Sequence, residues 1–219
     1  MHNATSELEK YYAARAPEYD QVYAKPERQN DLREMERWLP PQLSGRRVLE
    51  LACGTGYWTQ LIAAVARRIV AIDAAPQTLE IARKRIHQGD VSFLVGDAYD
   101  VSPEVGEFDA AFAGFWFSHV PRSRQQEFLL SLDERLEPGA HVILLDNLYT
   151  DDSSTLIAER DSEGNTYQRR ALGDGTVHRV LKNFPTEREL RSLVDPLGRD
   201  AQFIRWQYYW ALSYVTAQR

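Results

Sequence analysis

The 219-residue sequence has little of several features that would each point to a particular class of protein. Its one cysteine, Cys53, excludes an internal disulfide and leaves no thiolate pair, so we expect no metal site. No run of about 18 apolar residues occurs, which excludes a membrane-spanning helix. The first residues (MHNATSELEK) lack the basic and apolar regions of a secretory signal. We therefore expect a cytoplasmic protein with no membrane partner.

Basic residues are also too few for a broad nucleic-acid surface. The chain has 26 Lys and Arg against 32 Asp and Glu, a formal net charge of −6. Because non-specific nucleic-acid affinity comes mostly from cationic side chains, we expect no nucleic-acid partner. Lysine itself is scarce, and 22 of the basic residues are arginine. The lysines are Lys10, Lys25, Lys84 and Lys182.

The central part of the sequence alternates short apolar runs with amphipathic helical patterns. Such alternation is typical of βαβ units, and it predicts an α/β fold with a doubly wound, mostly parallel, seven-stranded sheet. The predicted strands are 46–52, 67–73, 91–97, 108–114 and 141–147. The predicted helices are 57–66, 75–88 and 123–136, the last closed by Pro138-Gly139.

Helical patterns precede this core, and a hairpin pattern follows it. Helices are predicted at 6–16, where Ser6 and Glu9 form a capping-box pattern, and at 26–38, which Pro40 and Pro41 should end. Beyond the core we predict a hairpin at 166–182, a helix at 186–194 and two closing strands within 200–218. We expect one domain over 1–219. Its parts are a helical lid (1–44), a core (45–150), a hairpin insertion or cap (151–185) and a C-terminal helix with closing strands (186–219).

The best functional signal is a glycine loop between the first strand and the next helix, VLELACGTGYWT (48–59). Gly54 and Gly56 allow a sharp turn and a close approach of backbone N–H groups to a ligand. Acidic residues end the predicted strands, and we expect them to converge at the carboxyl edge of the sheet, where open α/β sheets bind ligands. These residues are Glu50, Asp73, Asp97 and Asp146.

Two nucleoside cofactors suit such an edge. A dinucleotide loop requires G-x-G-x-x-G, but Thr59 stands at the third glycine position, and Tyr57 and Trp58 would crowd a pyrophosphate. These departures count against an NAD(P)-dependent oxidoreductase, which we keep as an alternative. A cofactor-binding regulatory domain without catalysis is another.

The loop resembles motif I of the class I S-adenosylmethionine-dependent methyltransferases, in particular the small-molecule branch. That motif reads acid-x-x-x-Gly-x-Gly, and the resemblance continues through AIDAAPQTLEIAR, VGDAYD, FDAAFAGFWFSHVP and LEPGAHVILLDN, over about residues 45–150. The segment YYAARAPEYDQVY also resembles the lid of that branch. Ala52 departs from the pattern, since many members have glycine there. The resemblance implies S-adenosylmethionine (SAM) as the methyl donor and S-adenosylhomocysteine (SAH) as the product.

The resemblance also implies a set of residues around the cofactor. Gly54 and Gly56 would hold its methionine part, Asp73 the ribose, and Asp97 the adenine amino group. Glu50 would face the cofactor's amino group through the loop or a water. The complete predicted set is Tyr19, Glu50, Ala52, Cys53, Gly54, Thr55, Gly56, Trp58, Asp73, Ala74, Gly96, Asp97, Ala98, Gly114 and Phe115.

The expected reaction is methyl transfer to an oxygen or nitrogen of a small molecule. His119 follows the fourth strand and is a candidate proton acceptor, although a structural role is an equal alternative. Tyr12 is the second catalytic candidate. Hairpin arginines can hold a substrate carboxylate or phosphate. Alternatively, the hairpin is an exposed ribbon or a dimer contact. We therefore expect either a monomer or a homodimer. The predicted substrate contacts are Tyr11, Trp116, Arg170 and His178.

Overall fold

A computed structural model describes residues 11–218, and its centre is a seven-stranded sheet. The strand order is β3-β2-β1-β4-β5-β10-β9; β1 to β5 are parallel, and β10 is antiparallel to both of its neighbours, β5 and β9. This arrangement confirms the predicted fold class. The strands are β1 (Arg47–Leu51), β2 (Arg68–Asp73), β3 (Val91–Val95), β4 (Phe108–Gly114), β5 (Leu136–Asn147), β9 (Gly198–Arg205) and β10 (Tyr209–Thr216).

Helices cover both faces of this sheet, because its central strands are apolar on both sides. Leu49 and Leu51 of β1 pack on one face, and Val48 packs on the other. The α-helices are α1 (Gln29–Gln42), α2 (Tyr57–Ala63), α3 (Pro76–Arg85), α4 (Gln125–Asp133) and α5 (Glu187–Val194). Helices α1, α2 and α3 contribute to the core on the Val48 face, and α4 and α5 to the core on the opposite face.

Short 3₁₀ segments connect several of these elements. They are Ala16–Ala24, Pro26–Arg28, Pro103–Val105, Phe117–His119 and Arg122–Arg124. Helical residues 11–15 and the first two 3₁₀ segments form what we call the lid segment, residues 11–28. The predicted capping box at Ser6 and Glu9 lies outside the described residues.

Four predicted helix ends are wrong. Helices α2 and α3 end at Ala63 and Arg85, three residues before the predicted positions. Helix α1 does not stop before Pro40 and Pro41 but includes both and ends at Gln42. Each proline lacks the N–H that would donate to the carbonyl four residues earlier, so the helix loses two hydrogen bonds in its last turn and ends one residue after Pro41. Helix α4 ends at Asp133, and Pro138-Gly139 lies inside β5, where the pairing with β4 shifts register.

The predicted hairpin is present, but it belongs to a three-stranded sheet. Strands β7 (Thr166–Ala171) and β8 (Val177–Leu181) pair antiparallel, with Arg170 opposite His178. Strand β6 (Ile157–Arg160), which we did not predict, pairs with β7. The capping box that opens α5 is present, since Thr186 and Glu189 bond each other's backbone. The two closing strands are also confirmed as β9 and β10.

Candidate functional site

A narrow cleft opens at the carboxyl ends of β1, β2 and β4, under the lid segment. Sheet, loops and lid each contribute to its walls. The lining residues are Tyr12, Tyr19, Ala52, Gly54, Asp73, Ala74, Ala75, Thr78, Gly96, Asp97, Ala98, Gly114, Phe115, Trp116 and His119.

The glycine loop turns through left-handed backbone conformations. Gly54 has φ +56° and Gly56 has φ +76°, and a Cβ at Gly56 would lie 3.0 Å from Cβ of Ala82. Ala52 is also left-handed at φ 52°, although it carries a side chain. Glycine adopts this conformation without steric cost, which explains why glycine is common at this position in the resembling sequences.

Asp73 connects the loop to helix α3. Its Oδ2 accepts the Gly54 N–H at 2.8 Å, and its Oδ1 accepts the Ala75 N–H and the Thr78 hydroxyl, each at 2.9 Å. Burial raises the pKa of Asp73, and these hydrogen bonds oppose the rise. The carboxylate therefore holds the loop in place while it lines the cleft.

Glu50 lies wholly buried behind the glycine loop and does not line the cleft. Its Oε2 has no hydrogen-bond partner in the described structure. Burial raises its pKa to about 8. A buried carboxylate oxygen without a donor is costly, and a cationic group nearby would stabilise its ionised form.

Tyr12 and His119 form a hydrogen-bonded pair at the lid side of the cleft. Nδ1 of His119 lies 2.6 Å from the Leu181 carbonyl oxygen, which only accepts, so Nδ1 carries the proton. Nε2 is then the acceptor for the Tyr12 hydroxyl, 2.8 Å away. Burial lowers the pKa of His119 well below its usual range, and the positive charges of Lys182 and Arg170 add to this effect. The imidazole is neutral near pH 7, with its basic nitrogen directed at Tyr12.

Several predicted site residues lie outside the cleft. Gly56, Cys53 and Thr55 lie in the loop behind it, and Thr55 donates to Asp20 of the lid segment at 2.6 Å. Trp58 packs 6.0 Å, centroid to centroid, from the cleft-lining Phe115 ring. His178 contacts the Tyr11 ring at 5.3 Å and does not line the cleft.

Asp146, predicted at the same edge, points away from the cleft. It is fully buried, accepts the Ser118 N–H at 2.9 Å and forms an ion pair with Lys182 at 2.8 Å. It thus joins the end of β5 to the hairpin.

Two residues that line the cleft, Ala75 and Thr78, were not predicted. Their position just after Asp73 in the sequence could have indicated them.

Comparisons with known proteins match the central part of the chain to a methyltransferase domain, over residues 48–139. Magnesium-protoporphyrin O-methyltransferase of Rhodobacter capsulatus is 42% identical over 78 residues, 34% of each chain. Demethylmenaquinone methyltransferase of Clavibacter sepedonicus is 33% identical over 106 residues, 47% of this chain and 41% of the relative. The structure of DhpI with SAH superposes with a TM-score of 0.82 at 28% identity and covers 100% of both chains.

Residues 48–139 thus match a methyltransferase domain, and the whole chain is similar in fold to a protein that binds SAH. The aligned part of this chain spans about a third to two fifths of the length of the curated relatives named above. A second DhpI structure, a complex with SAM and HEP, has a TM-score of 0.80 at 28% identity and covers 97% of this chain and 98% of DhpI. The matches give no support to a nicotinamide-dependent oxidoreductase or to a non-catalytic domain.

The cleft and the glycine loop behind it have side chains that fit SAM. The Asp73 carboxylate lines the cleft and suits ribose hydroxyls. Glu50 lies behind the loop, so its unpartnered oxygen would act on an ammonium group through the loop or a water. Rings of Tyr12, Tyr19 and Phe115 suit a sulfonium cation, which the face of an aromatic ring attracts. Within residues 11–218, no group of three or more His, Cys, Asp or Glu side chains can hold a metal ion, and no helix is long and apolar enough to cross a membrane.

A second cavity of about 400 Å³ lies on the other side of the lid segment and is bounded by the hairpin and by the loop after β5. Of the four predicted substrate contacts, Tyr11 and Arg170 line this second cavity, and Trp116 lines the cleft. The cavity also contains Arg169, one of the hairpin arginines considered above for substrate binding. Its cationic residues that we did not predict are Arg15, Lys25, Arg28 and Lys182.

Proposed function

We propose that this protein is a methyltransferase that transfers the SAM methyl group to an oxygen or nitrogen of a small molecule. The neutral Tyr12–His119 pair at the wall of the cleft is the observation that carries the proposal. A buried neutral imidazole is a proton acceptor that does not need to lose a proton first. The acidic net charge disfavours a nucleic-acid acceptor.

Bound SAM supplies a methyl carbon that is electrophilic because it is attached to a sulfonium. The Tyr12, Tyr19, Phe115 and Trp116 rings enclose the cleft and exclude water from the reacting atoms. In the proposed scheme His119 Nε2 receives the proton that the acceptor loses. It does so directly when the acceptor displaces the Tyr12 hydroxyl, or through that hydroxyl when Tyr12 stays in place.

We infer that residues 1–219 act as one unit, because the lid segment contacts the core and the hairpin. Asp20 forms an ion pair with Arg85 of α3 and accepts from Thr55 of the glycine loop. Tyr23 stacks on Tyr57 at 3.8 Å between ring centroids. We further infer a cytoplasmic location from the single cysteine.

The test measures binding and turnover separately. Calorimetric titration with SAH, SAM, NAD and NADP should give binding only for the two adenosyl ligands, and a panel of small hydroxy and amino compounds should include an acceptor of labelled methyl. His119→Gln should leave SAH affinity unchanged and lower kcat by about 100-fold or more. The control is His141→Gln, in β5 and outside the cleft lining, with unchanged kcat. Binding of NAD or NADP alone would contradict the proposal.

A further inference from the structure

The lining of the second cavity is positively charged, although the protein as a whole has a negative net charge. The chain as a whole carries a net charge of −6, yet six cationic side chains line this cavity and only one carboxylate, Glu18, accompanies them. The cationic residues are Arg15, Lys25, Arg28, Arg169, Arg170 and Lys182.

Three of these guanidinium groups have neutral partners. Arg28 is only 4% exposed, and its Nε donates to Ser153 Oγ at 2.7 Å. Arg170 donates through Nε and Nη2 to the Gln168 amide oxygen at 3.1 and 2.7 Å. Arg15 lies over the Tyr11 ring at 5.7 Å. Within residues 11–218, no carboxylate lies within 4.0 Å of any of these three.

The two lysines differ from the arginines because each has an acidic partner. Lys182 is paired with the buried Asp146, and Lys25 lies 4.0 Å from Glu27. Their charges are therefore compensated within the fold. The excess positive charge belongs to the arginines, and burying a cation without an anion is costly. Planar guanidinium groups that converge on a cavity suit a carboxylate or a phosphoryl group, which they bind through paired hydrogen bonds.

The lid segment connects this cavity to the catalytic pair. Arg15 lies 5.4 Å from the centroid of Tyr19, which lines the cleft, and the Tyr11 ring packs 5.0 Å from the Tyr12 ring. The positive charges of Arg170 and Arg15 also act on Tyr12, opposing the rise in its pKa that burial causes. An anion held by the arginines thus lies one layer of side chains from the Tyr12–His119 pair.

We propose that the second cavity binds an anionic group of the methyl acceptor, a carboxylate or a phosphoryl group, through Arg15, Arg28 and Arg170. The inference rests on the proposed function and specifies its substrate class. The acceptor spans both cavities, with its anion among the arginines and its nucleophilic atom beside Tyr12. These arginines determine specificity and take no part in the transfer itself.

The probes are inorganic phosphate and malonate, titrated into the SAH-saturated protein and followed by thermal unfolding. Sodium chloride at matched ionic strength corrects for general screening. We expect saturable stabilisation by one or both probes, with phosphate alone indicating a phosphoryl acceptor and malonate alone a carboxylate. Arg170→Gln and Arg15→Gln should each weaken probe binding by about tenfold or more, because each removes a charge-assisted contact.

Arg179→Gln is the matched control. It removes the same charge from the same hairpin, but Arg179 is ion-paired with Glu159 at 2.7 Å and does not line the cavity. Its probe affinity should equal that of the unaltered protein. Equal weakening by all three variants would overturn the inference, as would stabilisation no greater than chloride gives. SAH binding is measured on the same samples, so loss of SAH binding contradicts the proposed function, whereas SAH binding without anion binding contradicts only this inference.

Discussion

Replacing Asp73 by Asn tests whether one carboxylate both holds the glycine loop and binds the cofactor. The exchange preserves size and removes the charge. Asp73 accepts three hydrogen bonds, from the Gly54 N–H, the Ala75 N–H and the Thr78 hydroxyl. An amide has one oxygen, so whichever way it is oriented, a backbone N–H faces the NH₂ group and loses its acceptor.

The expected cost follows from those contacts. A hydrogen bond to a charged group contributes about 1.5–3 kcal/mol, and a donor left unsatisfied costs a similar amount. We expect the free energy of unfolding of Asp73→Asn to fall by about 2 kcal/mol, which lowers Tm by about 4–8 °C in a chain of this size. If the carboxylate also binds the ribose, loss of one charge-assisted hydrogen bond weakens SAH binding by about 10- to 100-fold.

Thermal unfolding and calorimetric titration with SAH measure the two effects separately. Thr78→Val is the matched control, because it removes one donor to Asp73 and keeps the carboxylate. It should lower Tm slightly and leave SAH affinity within about twofold. A lower Tm for Asp73→Asn with unchanged SAH affinity would refute the cofactor role. Unchanged Tm would refute the role in holding the loop.

Two further predictions concern the same loop. Burial raises the pKa of Glu50 to about 8 from 4.5, so between these pH values the folded protein retains a proton that the unfolded chain has released. The free energy of unfolding without cofactor therefore falls as pH rises through this window. Urea unfolding at pH 5 to 8 should show a smaller fall for Glu50→Gln than for the unaltered protein. An equal fall in both proteins would exclude Glu50 as the cause of the pH dependence. Ala52→Gly should raise the free energy of unfolding by about 0.5–1 kcal/mol, since it removes a left-handed alanine but adds freedom to the unfolded chain. A fall in Tm would show that Ala52 is not strained.

The sequence predicted the core well because its signals are local. Each strand of the parallel sheet is a short apolar run, and each crossover helix follows within a few residues, so periodicity and right-handed connections suffice. The acidic residue at the end of β2, Asp73, lines the cleft for the same reason. A side chain at a strand end can still turn away, as Asp146 does toward Lys182, and only the packing of a distant segment shows this.

The second cavity could be predicted only in part. The hairpin pattern indicated Arg170, but Arg15 and Arg28 come from the lid segment, which no local pattern brings next to the hairpin. Strand β6 was not predicted for a related reason. Its sequence, IAER, has one half-buried position followed by three exposed ones, so it has no alternation and forms only because β7 is beside it.

The lid segment closes down on the cleft, and this has a kinetic consequence. The enclosed space measures about 70 Å³, whereas small-molecule sites commonly measure about 300 Å³ or more. The floor is the carboxyl edge of a seven-stranded sheet, so we expect the lid to move outward, with Tyr12 and Tyr19, when a nucleoside enters. Arg15 and Arg28 move on the same segment. Donor entry and acceptor exchange then share one opening motion, and the rate of that motion sets an upper limit on turnover.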